Sequence, residues 1–138
     1  MRPNRTKKSS SEVALALGFR SGLEGKTAED LASRGVPVRF EEETLPWTDD
    51  KVHEYTPDFV LPNGIYVETK GRFMPEDRTK HLHVKRCNPK ADIRFVFQRS
   101  ASPIRKGSKT TYAMWCAKHG FKFADKRIPE AWLQESKR

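Results

Sequence analysis

The sequence predicts an α/β domain with a mixed sheet, on three observations. Helical and strand patterns alternate along the chain as helix, three strands, helix, strand and a helical tail. A tight turn at Pro62-Asn63-Gly64 joins two short β-branched and aromatic runs into a hairpin. At 138 residues, the chain has room for one domain with a modest core.

Residues 1–18 read as a flexible basic arm with a short apolar patch at Val13–Leu17, and residues 19–138 as the single domain. Ser21-Gly22-Leu23-Glu24 has the form of a capping box, opening a helix that Gly35 closes. Leu23, Thr27 and Leu31 are expected to face inward, with Lys26, Asp30 and Arg34 outward. Val36, Val38 and Phe40 alternate as a strand, and residues 44–54, with Pro46 and Asp49-Asp50, read as a linker or exposed ribbon. Pro75 suits the first turn of a basic helix that ends by Asn88-Pro89. Ile93–Phe97 is a buried strand. Tyr112, Trp115, Cys116 and His119 recur at helical spacing before Gly120, and a last short helix follows Pro129, anchored by Trp132 and Leu133. At such a position His119 is more often a helix-terminal or core histidine than a ligand.

The hairpin carries the chemistry. Pro62 and Asn63 suit the central positions of a type I turn and Gly64 the left-handed position after it, giving a three-residue loop with a bulge. Leu61 then faces Ile65, Phe59 faces Val67, and Asp58 faces Glu68. Alternation puts Phe59, Leu61, Ile65 and Val67 on one face and Asp58, Glu68 and Lys70 on the other. A two-residue Asn63-Gly64 loop is the competing register, pairing Asp58 with Thr69. It leaves Pro62 unexplained and breaks the apolar face.

Opposed carboxylates roughly 5 Å apart repel by about 3 kcal/mol at an effective dielectric of 20. A favourable cross-strand pair returns only ~0.2–1 kcal/mol, so folding alone does not reward the arrangement. A hard divalent cation does, because Mg²⁺ binds through one or two carboxylates together with phosphate oxygens and water. Lys70 on the same side suits charge stabilisation at a phosphate or orientation of a water. Spacing alone also fits a polar outer face of an edge hairpin, with Lys70 pairing Glu68.

Lys plus Arg number 27 against 18 for Asp plus Glu, a net charge of +9, which favours a polyanionic partner. The bases cluster as Arg2, Arg5, Lys7 and Lys8; as Lys70, Arg72, Arg78, Lys80, Lys85, Arg86 and Lys90; and as Arg99, Arg105, Lys106 and Lys109. These blocks bracket the acidic hairpin and suggest a nucleic-acid surface. Glu41-Glu42-Glu43 and Asp49-Asp50 concentrate acid ahead of it. No apolar run approaches the ~20 residues needed to span a bilayer, and no signal-peptide pattern opens the chain. Two cysteines, Cys87 and Cys116, lack metal-site spacing and make no disulfide framework, which fits a reducing intracellular compartment.

Pro57-Asp58, nine residues, then Glu68-Thr69-Lys70 resembles the signature of the PD-(D/E)xK nuclease superfamily. Longer segments resemble the phage endonuclease I family, the Holliday-junction resolvases of podoviruses. They are Phe19-Arg20-Ser21-Gly22-Leu23-Glu24, Tyr55-Thr56-Pro57-Asp58-Phe59, Leu61-Pro62-Asn63-Gly64-Ile65 and Val67-Glu68-Thr69-Lys70-Gly71. Lys118-His119-Gly120, Lys122-Phe123-Ala124-Asp125-Lys126 and Ile128-Pro129 extend the likeness. The resemblance runs from about Phe19 to Glu135, and the segment 44–54 matches poorly.

The resemblance implies a restriction-endonuclease-like αβββαβ core with Glu24, Asp58, Glu68 and Lys70 as catalytic residues. It implies Mg²⁺ or Mn²⁺, two per site, held by Asp58, Glu68, the Thr69 backbone carbonyl and Glu24. Glu24 also fits a purely structural cap. The implied activity is nicking of paired strands across a four-way DNA junction, leaving 5′-phosphates, by a phage protein in the host cytoplasm. It further implies a homodimer that exchanges the first helix and strand through residues 44–54. Arg2, Arg5, Lys7, Lys8, Arg72, Arg78, Lys80, Lys85, Arg99, Arg105, Lys106 and Lys109 are the expected phosphate contacts. A duplex endonuclease of the same fold and a non-catalytic basic binding module are the competing readings.

Overall fold

The computed structural model of the chain describes residues 22–137. The arm 1–18, with Arg2, Arg5, Lys7 and Lys8, and the Ser21 cap lie outside the described residues. Helix α1 (Gly22–Ser33) leads to β1 (Arg39–Phe40), and β2 (Leu45–Thr48) and β3 (Val52–Tyr55) follow. Then come β4 (Phe59–Val60), β5 (Tyr66–Lys70), α2 (Pro75–Cys87), β6 (Ile93–Phe97), α3 (Tyr112–His119), β7 (Lys122–Asp125) and α4 (Glu130–Leu133). Five strands form one sheet in the order β1-β4-β5-β6-β7, antiparallel as far as β5 and parallel from β5 to β7. This is the mixed α/β architecture the sequence predicts.

Side-chain alternation sorts the core into two layers. Ile93, Phe95 and Phe97 point to the face covered by α2 and α3, where Phe73, Val84, Tyr112, Trp115, Cys116 and Phe121 meet them. Val96 points to the other face, with Phe59, Leu61, Ile65 and Val67, under Leu31 of α1 and Trp132 of α4. Strand β6 is buried along its whole length, as a parallel strand covered on both faces must be. Leu23, Thr27 and Leu31 are buried as expected.

The elements differ from the sequence reading, or sharpen it, in four places. The first strand is two residues rather than five, and Val36 and Val38 pack beside it as partly buried side chains. Of the two readings of residues 44–54, linker or exposed ribbon, the structure takes the second in the form of a β-hairpin over 45–55, paired Leu45↔Tyr55 to Thr48↔Val52. Trp47 explains the outcome: its ring stacks on His53 at 4.2 Å and lies 5.8 Å from His83 of α2. The acidic pair that suggested a linker occupies the turn, where Asp49 accepts the Lys51 N–H at 2.9 Å. Strand β7, absent from the reading, pairs parallel with β6. Asp30 and Arg34 are tied inward, with Arg34 bonded to Asp30 and to the Ile128 carbonyl.

A charged latch sits under the C-terminal segment. Arg94 is fully buried, accepted by Asp92 and Glu135, and lies 5.2 Å from the Trp132 ring. Asn63 donates to the Trp132 carbonyl at 2.7 Å, so the tail also pins the β4–β5 turn.

On the opposite layer, His81 of α2 is buried among Tyr55, Phe95 and Phe121, and its Nδ1 has no hydrogen-bond partner among the described residues. Burial first, then the charges of Lys70 and Lys80, push its pKa down to about 3 from 6.5. The folded chain therefore keeps His81 neutral over a range where the unfolded chain binds a proton. Stability must fall as pH drops from about 6.5 towards 3. Replacing His81 with Leu should flatten this part of the curve, so that melting temperatures of wild type and variant diverge between pH 7.5 and 5. Parallel curves would show that His81 is not the group responsible.

Candidate active site

The hairpin adopts the three-residue-loop register. Phe59 pairs with Val67, the Leu61 N–H donates to the Ile65 carbonyl at 2.9 Å, and Gly64 takes φ +91°. Phe59, Leu61, Ile65 and Val67 are at most 1% exposed, so the apolar face is complete. The opposite face is not a solvated edge. Glu68, on the α2 side of β5, is 6% exposed; Asp58 is 2% exposed, and its carboxylate, expected to share that side, turns instead to Thr69 and to Glu24 and Glu41. That removes the polar-outer-face alternative.

Asp58 is locked across the hairpin. Its Oδ2 accepts both the Thr69 N–H and the Thr69 hydroxyl, each at 2.8 Å. Thr69, expected to take part through its carbonyl, also fixes the Asp58 rotamer through two donors. Glu24, in the first turn of α1, is 2% exposed. Glu41 follows β1, where its N–H donates to the Asp58 carbonyl at 3.3 Å and its φ of +51° places it in the left-handed region. Such a backbone in a non-glycine residue costs roughly 1–3 kcal/mol and persists only where surroundings enforce it. Carboxylate oxygens of Glu24, Glu41 and Asp58 lie within 4.8 Å of one another.

Glu41 is the site residue the sequence reading missed. No signal in the residues singles it out: the Phe40↔Phe59 pairing, which extended by one residue places Glu41 against Asp58, emerges only in the structure. The acidic run Glu41-Glu42-Glu43 instead read as a block. Only Glu41 reaches the cluster; Glu43 accepts the Tyr66 hydroxyl at 3.0 Å and pairs with Arg39.

Glu68 stands beside this group rather than in it, on the α2 face of β5. Its Oε1 accepts the Tyr55 hydroxyl at 2.7 Å, and its Oε2 lies 3.5 Å from the Lys70 ammonium. Burial, then the Asp58 charge, push the Glu68 carboxyl up to about 8, against the pull of Lys70 and the Tyr55 hydrogen bond. Lys70 also meets Asp77 of α2 at 3.2 Å. Burial alone would lower its pKa, but Glu68 and Asp77 outweigh burial and raise it, so the ammonium stays charged.

The expected phosphate contacts separate into free and committed groups. Arg78 donates to the carbonyls of Phe73 and Ile104, and Lys85 lies over the Phe121 ring and donates to the Gly120 carbonyl. Both bind the fold together. Lys80 lies 5.4 Å from the Tyr55 ring centroid, close enough for its charge to act on Glu68. Arg72, Arg99, Arg105, Lys106 and Lys109 are exposed. Parallel pairing ends β5 and β6 together, Lys70 beside Phe97, which brings Arg72 and the 98–111 loop to the sheet end that carries Lys70.

The donors in this cluster are oxygen atoms of carboxylates, with neither His nor Cys among them. Such hard, anionic ligands suit Mg²⁺ or Mn²⁺ and fit poorly with metals that prefer nitrogen or sulfur. Residues 5–138 match the sequence profile of the family described as phage endonuclease I.

The chain belongs to the phage endonuclease I family.

Over 121 residues it is 50% identical to a protein named Endonuclease I of Escherichia phage T7, covering 87% of this chain and 81% of that one. It is 49% identical over 121 residues to Endodeoxyribonuclease 1 of Enterobacteria phage T3, covering 87% and 80%. The family's nuclease activity and the buried carboxylates together point to a divalent cation.

Removing one anionic oxygen from the cluster should weaken the cation. Glu41→Gln, measured by calorimetric titration with Mn²⁺, should lose on the order of tenfold in affinity or more, the scale on which metal sites respond to losing even an outer partner. Unchanged affinity would remove Glu41 from the site.

Proposed function

We propose that this endonuclease resolves four-way and other branched DNA junctions by metal-dependent phosphodiester hydrolysis, leaving 5′-phosphates, on a PD-(D/E)xK core. The observation that carries the reading is the cluster of buried Glu24 and Asp58 with half-buried Glu41, beside the Glu68–Lys70 pair. Asp58, Glu68, the Thr69 carbonyl, Glu24 and Glu41 would hold Mg²⁺ or Mn²⁺, two per site. Bound there, the metal would lower the pKa of a water and stabilise charge on the leaving oxygen. Thr69 keeps the Asp58 carboxylate from rotating away. Lys70, held protonated, supplies positive charge to a phosphate entering beside Glu68 and orients the attacking water.

The exposed bases Arg72, Arg99, Arg105, Lys106 and Lys109, with Lys80 and the basic arm, hold DNA arms by their phosphates. Phosphate contacts fix position without reading sequence. Branch shape and deformability then supply the selectivity. A non-catalytic binding module would need no buried carboxylate cluster, and on it the cost of burying these charges has no return. No described helix is long and apolar enough to cross a membrane. The proposed place of action is the cytoplasm of the infected bacterium.

The active form in this proposal is a homodimer in which α1 and β1 are exchanged between chains through residues 44–54. Two observations favour it. Within one chain, α1 and β1 reach β4 and β5 mainly through an apolar face that a second copy could equally supply. The connecting segment is a two-stranded hairpin separate from the five-stranded sheet, so it can open without breaking that sheet, at the cost of the Trp47 packing on His83.

The deciding experiment is incubation of the purified protein with matched four-way and linear DNA, with and without Mg²⁺. Cleavage of the four-way substrate that requires the metal is expected; equal cutting of both substrates, or none, would contradict the proposal. Glu68→Ala should abolish cleavage and leave junction binding intact in a gel shift. The exchange has its own test. Glu24→Ala chains co-refolded with Glu68→Ala chains should regain nicking of one strand, because one composite site is whole. Verified heterodimers without nicking would rule the exchange out.

A further inference from the structure

We propose that Tyr55 and Asp77 are positioning residues of the hydrolytic site, the first holding Glu68 and the second holding Lys70. This rests on the roles of Glu68 and Lys70 given above. The two residues come from different elements and meet the catalytic pair from opposite ends. Tyr55 closes β3, three residues before Asp58, and is 1% exposed. Its hydroxyl donates to Glu68 Oε1 at 2.7 Å, and Glu68 Oε2 is left towards Lys70 at 3.5 Å. One oxygen is thus anchored and the other presented. The ring is fixed in turn by edge contact with His81 at 5.0 Å and by Lys80 above it.

Asp77 lies in the first turn of α2, where Oδ2 accepts the Met74 N–H at 3.1 Å. That bond commits one oxygen to capping the helix. The other oxygen, Oδ1, meets the Lys70 ammonium at 3.2 Å. Lys70 therefore spans two carboxylates, and the helix start fixes how far its flexible stem extends. The resulting chain Tyr55–Glu68–Lys70–Asp77 ties β3 and α2 to the two working side chains of β5. A site held this closely loses rate when a supporting partner is removed, because small misplacements at the reacting atoms are costly.

Tyr55→Phe keeps the ring and deletes only the donor. Asp77→Asn keeps an acceptor for the helix cap and deletes the charge facing Lys70. With Glu68→Gln as reference, each would be measured for melting temperature, junction affinity without divalent metal, Mn²⁺ affinity by calorimetry, and single-turnover cleavage at saturating Mn²⁺. Tyr55→Phe should weaken Mn²⁺ about tenfold. Asp77→Asn should leave Mn²⁺ affinity within about twofold and slow cleavage on the order of tenfold or more, with Asp77→Glu restoring part of the rate. Junction affinity should be unchanged in both. Normal Mn²⁺ affinity and normal rates, or lowered melting temperature alone, would make both residues merely structural and overturn the proposal. If Glu68→Gln itself cleaved normally, the assignment of Glu68 would fail first, an outcome separate from failure of the positioning roles.

Discussion

Everything near the hairpin follows from one constraint, the concentration of like charge in a place that water does not reach. Asp58, Glu24 and Glu68 are almost wholly buried, and Glu41 joins them from β1. A pair of such charges about 5 Å apart opposes folding by about 3 kcal/mol even at an effective dielectric of 20. A fold that keeps them must offset the repulsion locally, and each nearby bond can be understood that way. Thr69 gives Asp58 two donors, Tyr55 gives Glu68 one, and Lys70 brings a positive charge between Glu68 and Asp77. These partners leave a net negative cluster. A divalent cation is the natural complement.

The sheet makes that concentration possible. Alternation along β5 sends Val67 to the α1 layer and Glu68 and Lys70 to the α2 layer. Asp58, at the start of β4, turns back towards Thr69 and so faces Glu24 and Glu41 instead. The hairpin therefore presents carboxylates to both layers from adjacent strands, and helices on either side exclude water. Rigidity comes from farther away. Arg94, Glu135 and Asn63 clamp the tail over the β4–β5 turn, so the strands that carry Asp58 and Glu68 cannot shift register cheaply.

Much of this was legible in the residues. The turn chemistry of Pro62-Asn63-Gly64 fixes the register, and the period-two pattern fixes the apolar face and the side shared by Glu68 and Lys70, but not the turn of Asp58 towards Thr69. The helices were readable from their ends, as at Pro75 and Gly120, the latter with φ +77°. What escaped depends on long-range contact. Arg94 sits in an apolar strand, and only Asp92 together with the distant Glu135 makes its burial tolerable. The hairpin at 45–55 read as a linker or exposed ribbon because its turn is acidic, while its stability comes from Trp47 packing against His83 of a later helix. Glu41 was hidden within a run of three identical residues, and strand pairing alone singles it out. Arg78 and Lys85 read as phosphate contacts by charge, and the carbonyls to which each also donates lie in segments distant in sequence, which charge alone does not reveal.

The cluster also explains why two ends of the chain's first half must meet. Glu24 and Glu41 belong to the segment before the 45–55 hairpin, and Asp58, Glu68 and Lys70 to the segment after it. A site assembled across that connection depends on the connection's geometry, within one chain or between two. Crystals soaked in Mn²⁺ and measured at the manganese absorption edge test the central claim directly. An anomalous peak bounded by carboxylates of Asp58, Glu24 and Glu41, with Glu68 turned towards it, is the predicted result. A peak elsewhere, or ordered carboxylates with no peak at saturating Mn²⁺, would contradict it.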